Sequence, residues 1–399
     1  MDNKIFSVYL TPADYSKLAY AKLDLPVSPW ELLDAMDKVR LTEEDSLYLE
    51  ILDYHDFEVL RSCQLCAGTD LPELNDLAKR VSDLDETQRI AFEGLVRVEL
   101  QKQEPVTLKR LRDLAASTDC CHVVPEVLTP SQLGRFYAED GFVPEVEGLP
   151  DAAFELLDFE RIGQRAQRDE GGVFTQHGYV VQHSDLKPAP ELTDGHPAEP
   201  DYTLHLRLMA HHDTLPFGGT DVVELKLPAE DSVLEMAVRC LGYADWGEVE
   251  CTCLGCKAPQ LMEHITSAVP FETIKQLGDV LTQISAESLP AYKALLAAAG
   301  CQDIEEALSL AEQLDEYILS PSIASPEDAA TEELALILPD EAARLLRPHL
   351  NLHTYGQALL ASRNNIQTEY GLLERRDGQP IQSNGQQKQG PQMGGMEFG

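Results

Sequence analysis

The chain has 399 residues, 43% of them apolar, which is enough for two domains with ordinary cores and too apolar for wholesale disorder. Asp and Glu number 69 against 31 Lys and Arg, a net charge of −38. That surplus excludes a protein that grips nucleic acid or an anionic membrane, since both repel it.

The excess is spread along the chain. Residues 1–200 carry 39 acids and 19 bases, and residues 201–399 carry 30 and 12, or −20 and −18. At one charge per ~1.7 Å of duplex axis, such a surplus corresponds to roughly 65 Å of DNA. The partner that suits it is a basic groove. Charge by itself equally suits a merely soluble acidic protein. The first twenty residues lack a signal-peptide core, and no stretch approaches the ~20 apolar residues of a membrane span. A cytoplasmic protein is expected, with its nine cysteines reduced.

In chain order, a strand-like run at Ile5–Leu10 leads to a helix at Pro29–Val39, with Pro29 placed for a helix start. A strand at Leu47–Asp53 follows, then a helical pair over Glu73–Val96. The closing third mixes helices with a hairpin over Phe174–Val181. Lys187–Pro200, KPAPELTDGHPAEP, reads as an extended linker. The order then restarts: strand at Tyr202–Met209, helix at Asp231–Leu241, strand at Glu248–Cys253, helices over Thr273–Leu296, hairpin over Ile366–Glu374. Gly178 and Gly371 hold equivalent places where a turn can need positive φ. From Arg375 the sequence is Gly- and Gln-rich without apolar period and reads as a disordered tail.

The restart is an internal repeat. KLDLP (Lys22–Pro26) recurs as ELKLP (Glu224–Pro228), and Glu73–Val96 recurs as Thr273–Leu296. Val106–Ala115 recurs as Gln302–Ala311, and LDFERIGQRA (Leu157–Ala166) as LNLHTYGQAL (Leu350–Leu359). The matched positions, such as Leu74/Ile274, Leu77/Leu277, Val81/Leu281 and Phe92/Tyr292, are apolar at helical spacing and predict core faces. Acids match less well: Asp83 and Asp85 face Gln283 and Ser285. A catalytic carboxylate must keep one place; a diffuse field need not. The expected fold is α+β, two tandem copies of an elongated acidic module with three small subdomains. The expected boundaries are 1–186, linker 187–200, 201–374 and tail 375–399.

These residues resemble the ArdA-type antirestriction proteins of mobile, conjugative elements. The carriers are Glu73–Leu84, GRFYAEDGFVPEVEGLP (Gly134–Pro150), Leu156–Ala166, GGVFTQHGYVV (Gly171–Val181) and the acidic strand Glu50–Glu58. The resemblance is strongest over residues 1–182 and weaker over 201–374. It implies an inhibitor, not an enzyme, that imitates bent B-form DNA, needs no cofactor and occupies the DNA groove of type I restriction–modification enzymes. The implied partner is their methyltransferase–specificity complex, with no direct nucleic-acid or membrane contact. Family members are single modules that pair; this chain is expected to pair its own halves as a pseudo-dimer or to form a homodimer. Rival targets are another basic DNA-binding protein (a CRISPR effector or nucleoid protein), or an unrelated partner of an acidic scaffold.

Carboxylates suit the role because they accept bidentate bonds from Arg as phosphates do. The candidate contacts are Asp34, Asp37, Glu43, Glu44, Asp45, Asp53, Asp56, Glu58, Asp70, Glu73, Asp76, Asp83, Asp85 and Glu86 in the first half. In the second they are Glu224, Glu230, Asp231, Glu235, Asp245, Glu248 and Glu250.

Other motifs are weaker. Cys63-x-x-Cys66 and Cys251-x-Cys253-x-x-Cys256 have zinc-like spacing, but lie in different halves without a clear partner pair. Cys120-Cys121-His122 pairs a thiol with an imidazole, yet sequence neighbours rarely give nucleophile geometry. His349 and His353 are expected to share a helix face but lack a third ligand; His205, His211 and His212 are comparable. No phosphate-binding glycine loop or nucleophile elbow is present.

Overall fold

A computed structural model describes residues 4–13, 19–40, 46–65, 69–102, 104–192, 199–210, 221–323 and 325–381. The first half runs β1 (Phe6–Pro12), β2 (Ala21–Leu25), α1 (Pro29–Val39), β3 (Leu47–Asp53), α2 (Leu71–Ser82), α3 (Glu86–Leu100) and α4 (Leu108–Ala115). It continues with β4 (Cys121–Pro125), α5 (Pro130–Glu139), α6 (Asp151–Phe154), α7 (Phe159–Glu170), β5 (Val173–Phe174) and β6 (Gly178–Gln182). The second runs β7 (Leu204–Met209), β8 (Val222–Leu227), α8 (Asp231–Cys240), β9 (Glu250–Cys256), α9 (Phe271–Gln283), α10 (Leu289–Ala299) and α11 (Ile304–Glu312). It closes with β10 (Tyr317–Ser320), α12 (Pro326–Ile337), α13 (Asp340–Leu346), α14 (Leu352–Arg363), β11 (Ile366–Thr368) and β12 (Gly371–Arg375). The fold is α+β, as expected, a mixture of helices and small sheets.

The small sheets have strand orders β2-β1-β3, β4-β6-β5, β8-β7-β9 and β10-β12-β11. Sequence reading missed β2 and β8, which are KLDL and ELKL, and β4 and β10. All are four to six residues long with mixed burial, so period alone does not mark them. The Cys120-Cys121-His122 motif is the entry to β4, where Cys121 pairs opposite Gln182.

The helices start where the chemistry says they should. Ser28 caps α1 and Glu31 closes the capping box. Asp70 caps α2, and Asp85 caps α3 with Gln88 reaching back. Thr129-Pro130 and Ser325-Pro326 open α5 and α12 in the same way. Of the matched pairs, Leu74/Ile274, Leu77/Leu277, Val81/Leu281, Phe92/Tyr292 and Leu95/Leu295 are buried on both sides.

Two compact units result. One comprises Met1–Tyr9, Lys22–Val27 and Tyr48–His196; the other comprises Leu10–Ala21, Ser28–Leu47 and Pro197–Gly399. In the first, α3 crosses its sheet at Gly94, where a Cβ would lie 2.5 Å from Val180 Cβ. Helices α5 and α7 cross backbone to backbone: a Cβ on Gly163 would sit 1.8 Å from the Pro130 carbonyl oxygen. The linker begins as part of this unit. Ser117 binds the Lys187 backbone, Asp113 accepts from Ala189 N at 2.7 Å, and Arg112 donates to the Pro190 carbonyl at 2.7 Å.

The second unit packs Leu204, Leu206 and Leu208 of β7 against Ile274, Leu277 and Leu281 of α9. Its α12–α14 crossing has Gly356, whose Cβ would lie 1.8 Å from the Pro326 carbonyl oxygen. Gly371 has φ 132°, while Gly178 does not have positive φ; it is excluded from bearing a side chain by Val124 O at 2.7 Å. The stretch from Arg375, read as a tail, starts inside β12 and continues ordered to Ile381, which is buried beside Tyr370. Residues 382–399 lie outside the described residues.

Candidate partner-binding acidic surface

Helix α1 belongs to the second unit, and this changes the setting of the first two candidates. Trp30 is buried there and donates Nε1–H to the Tyr202 carbonyl at 2.9 Å. Asp34 is only 5% exposed. It meets Lys293 Nζ at 3.0 Å, Lys38 Nζ at 3.1 Å and the Tyr370 hydroxyl at 2.8 Å. Asp37 binds Lys293 at 2.9 Å. Lys293 is fully buried, so this network is an ionic core, because a buried charge needs such partners. Burial raises the Asp37 carboxyl above its usual range against the pull of Lys293. Asp34 and Asp37, expected on a polar face, are thus held by cations of their own chain.

Glu43, Glu44 and Asp45 lie outside the described residues. In the first unit, Asp53, Asp56 and Glu58 are exposed on one turn. Asp53 accepts backbone bonds from His55 and Tyr54, which lower its pKa. Glu58 pairs with Arg61 at 2.8 Å. Asp56, Glu58 and Glu86 line one cavity of about 500 Å³, together with His55, Arg89 and His177. Asp70 and Asp85 are helix caps, and Asp83, beyond the end of α2, is exposed. Glu73 and Asp76 turn toward buried Arg112, Asp76 at 2.7 Å. Burial works to raise the Asp76 pKa, but Arg80 and Arg112 outweigh it and hold the carboxyl below its ordinary 3.8.

In the second unit, Glu224 bridges His205 and Arg207 from the neighbouring strand. Asp231 reaches Lys275 at 3.0 Å and Glu235 reaches Arg239 at 3.1 Å. Glu230 is exposed, Asp245 caps a short turn through Gly247 N, and Glu250 is half-buried. The Glu248 side chain lies outside the described residues.

A further acid set lies outside these candidates. Between Glu139 and Glu160 stand eight acids and no Lys or Arg: Glu139, Asp140, Glu145, Glu147, Asp151, Glu155, Asp158 and Glu160. All eight are exposed. Arg135 holds Glu139 and Glu155, each at 2.8 Å, and Asp158 caps α7. No long run of consecutive acids marks this stretch, yet a windowed charge count finds it. The matching stretch of the second half is different in kind. It presents Leu336, Ile337, Leu345 and Leu346 to solvent, with Arg344 and Arg347 among them.

Cys63, Cys251 and Cys253 are poor ligands and nucleophiles, because the thiolate is the reactive form. Burial pushes Cys63 and Cys251 up to about 11 and Cys253 up to about 12. Cys66, His211 and His212 lie outside the described residues. Among the described residues, no group of three or more His, Cys, Asp and Glu is placed to hold a metal ion. His349 and His353 do not share a helix: Asn351 caps α14 between them, and His353 binds Glu327 at 2.7 Å. No described helix is long and apolar enough to cross a membrane.

Comparison with known families gives one match. Residues 15–181 fit the family described as antirestriction protein (ArdA). This region is similar to the ArdA family. The match takes in α1 to β6 almost completely, including the acid-rich stretch, and covers under half of the 399 residues. No curated protein gives a significant match to the chain. The matched region thus contains the base-free acid stretch Glu139–Glu160.

Proposed function

We propose that the chain is an antirestriction protein that acts as a DNA mimic, built from two tandem ArdA-like modules. The observation that carries this is the coincidence of the ArdA match with eight exposed acids uninterrupted by a base. The target is the DNA groove of a type I restriction–modification enzyme. The second module is supported by the repeated element order, the repeated strand orders and the shared buried positions. It shares the surplus charge and carries its own base-free run, twelve acids from Asp303 to Glu341, at a different place in the module from Glu139–Glu160.

The mimic needs no cofactor. Its carboxylates take the place of phosphates for Arg and Lys in the target, and the gain comes from charge complementarity that salt weakens. Glu139–Glu160, Asp53, Asp56, Glu58, Asp83 and Glu86 are the contacts assigned. Asp34, Asp37, Glu73 and Asp76 hold the fold. The test is displacement of labelled duplex from a type I methyltransferase by the full chain. Displacement supports the reading, and failure against every DNA-binding enzyme tried leaves only the acidic scaffold.

A further inference from the structure

In the second unit, α1 is a docked helix. Its contacts are the Asp34–Lys293 and Asp37–Lys293 pairs, the Lys38–Glu369 pair at 2.9 Å, and the bond from Tyr370 to Asp34. Arg40 adds bonds to the carbonyls of Pro321 and Ile323. The groove that receives it is therefore built around Lys293, Glu369 and Tyr370.

The internal repeat gives that groove a counterpart in the first unit. At the offsets of the matched segments, Lys293 corresponds to Glu93, Glu369 to Gln176 and Tyr370 to His177. All three line the 500 Å³ cavity, beside Phe57 and Ile90. The helix has a counterpart too. On α8, Met236 stands for Asp34, Arg239 for Asp37 and Cys240 for Lys38. That face is open: Met236 is 63% exposed and Val233 46%.

The two sides differ from the docked pair in a matched way. Asp37 on Lys293 becomes Arg239 on Glu93, a charge inversion at both positions. Lys38 on Glu369 becomes Cys240 on Gln176, neutral at both. Asp34 beside Tyr370 becomes Met236 beside His177. Complementary charge steers and registers association, and a helix laid in a groove is a recurrent docking mode. Within one chain, Glu93 Oε1 already binds Arg97 at 2.7 Å and Arg239 binds Glu235 at 3.1 Å. Those bonds explain each charge singly but not the joint change.

We infer that α8 of one copy seats in the first-unit groove of a second copy of this chain, with Met236 in the cavity and Arg239 against Glu93. The inference rests on the equivalence of the two halves and not on DNA mimicry. The contact is heterologous, so two copies can close on each other or continue head to tail.

Light scattering on the full chain over a wide concentration range tests it. The mean mass should rise with concentration. Met236→Asp and Arg239→Glu each place an acid against an acidic groove and should weaken association about tenfold or more, the effect of losing ~1.4 kcal/mol. Glu93→Arg should do the same from the groove side, and the double variant E93R/R239E should recover part of the loss. Met236 and Arg239 are exposed, so unchanged melting curves will show that their variants fold. A monomeric mass at every concentration, association indifferent to M236D and R239E, or no recovery in the double variant would each overturn the inference. Because Asp56, Glu58 and Glu86 line the same cavity, DNA displacement measured at concentrations where the chain is monomeric reports the mimic reading separately.

Discussion

A buried lysine between two aspartates is the most exacting feature at the residue scale. Lys293 is fully buried and satisfies Asp34 and Asp37, which lie far from it in sequence. Removing one partner of such a network strands the others, so Lys293→Met should cost about 3–5 kcal/mol of the second unit's stability, read by urea or thermal unfolding. Tyr370→Phe removes the bond donated to Asp34 and the one accepted from Gln260 and should cost about 1–2 kcal/mol. Asp76 gives a pH signature. Its folded pKa is lowered by Arg80 and Arg112 against the effect of burial. Its contribution is therefore present above the ordinary carboxylate value and lost as pH falls through the folded one. Asp76→Asn should flatten part of the acid limb below about pH 4 and lower stability at neutral pH by ~1–2 kcal/mol, since buried Arg112 loses a partner. Unfolding midpoints across pH 2–7 (about that range, set by the carboxylates) would show no difference if Asp76 were a solvated charge.

The helix crossings make the sharpest contrast among the elements. Gly163→Ala and Gly356→Ala each drive a Cβ to 1.8 Å from a carbonyl oxygen of the facing helix. Both should lower stability by about 2 kcal/mol or more, as overpacking does. Gly141 has φ 76° and open space around it, so Ala there should cost only ~1 kcal/mol of backbone strain. Equal melting shifts for Gly141 and Gly163 would contradict the crossing geometry. The sequence marked Gly163 and Gly356 as matched without saying why. Helices α1, α2 and α3 were legible because apolar spacing and caps agree, and α9 and α10 through apolar spacing alone, since neither has a side-chain cap. Strands β2, β4, β8 and β10 were not, because runs of four to six residues with mixed neighbours carry no period of their own. The Asp34–Lys293 contact was out of reach for a different reason: its two sides come from different halves, and only tertiary packing joins them. The acid stretch at Glu139–Glu160 was legible by composition and was missed by looking for consecutive acids.

For the whole molecule, the account is one of distributed charge. A field made by many carboxylates tolerates the loss of any one, because an isolated exposed charge contributes little. Single Ala changes at Glu145, Glu147, Asp151 or Glu160 should alter inhibition less than threefold, or under ~0.7 kcal/mol. Neutralising all eight acids of the stretch together should raise the concentration needed by at least about tenfold. A lone substitution that abolished inhibition would point to a discrete site. Mimicry means competition with duplex DNA for a basic groove. Titrating the full chain into a type I methyltransferase bound to labelled duplex, at rising salt, tests it most directly. Stoichiometric displacement is expected at low salt, fading steeply as salt rises and lost in the eight-acid variant. Displacement unaffected by that variant, or none at low salt, would contradict it.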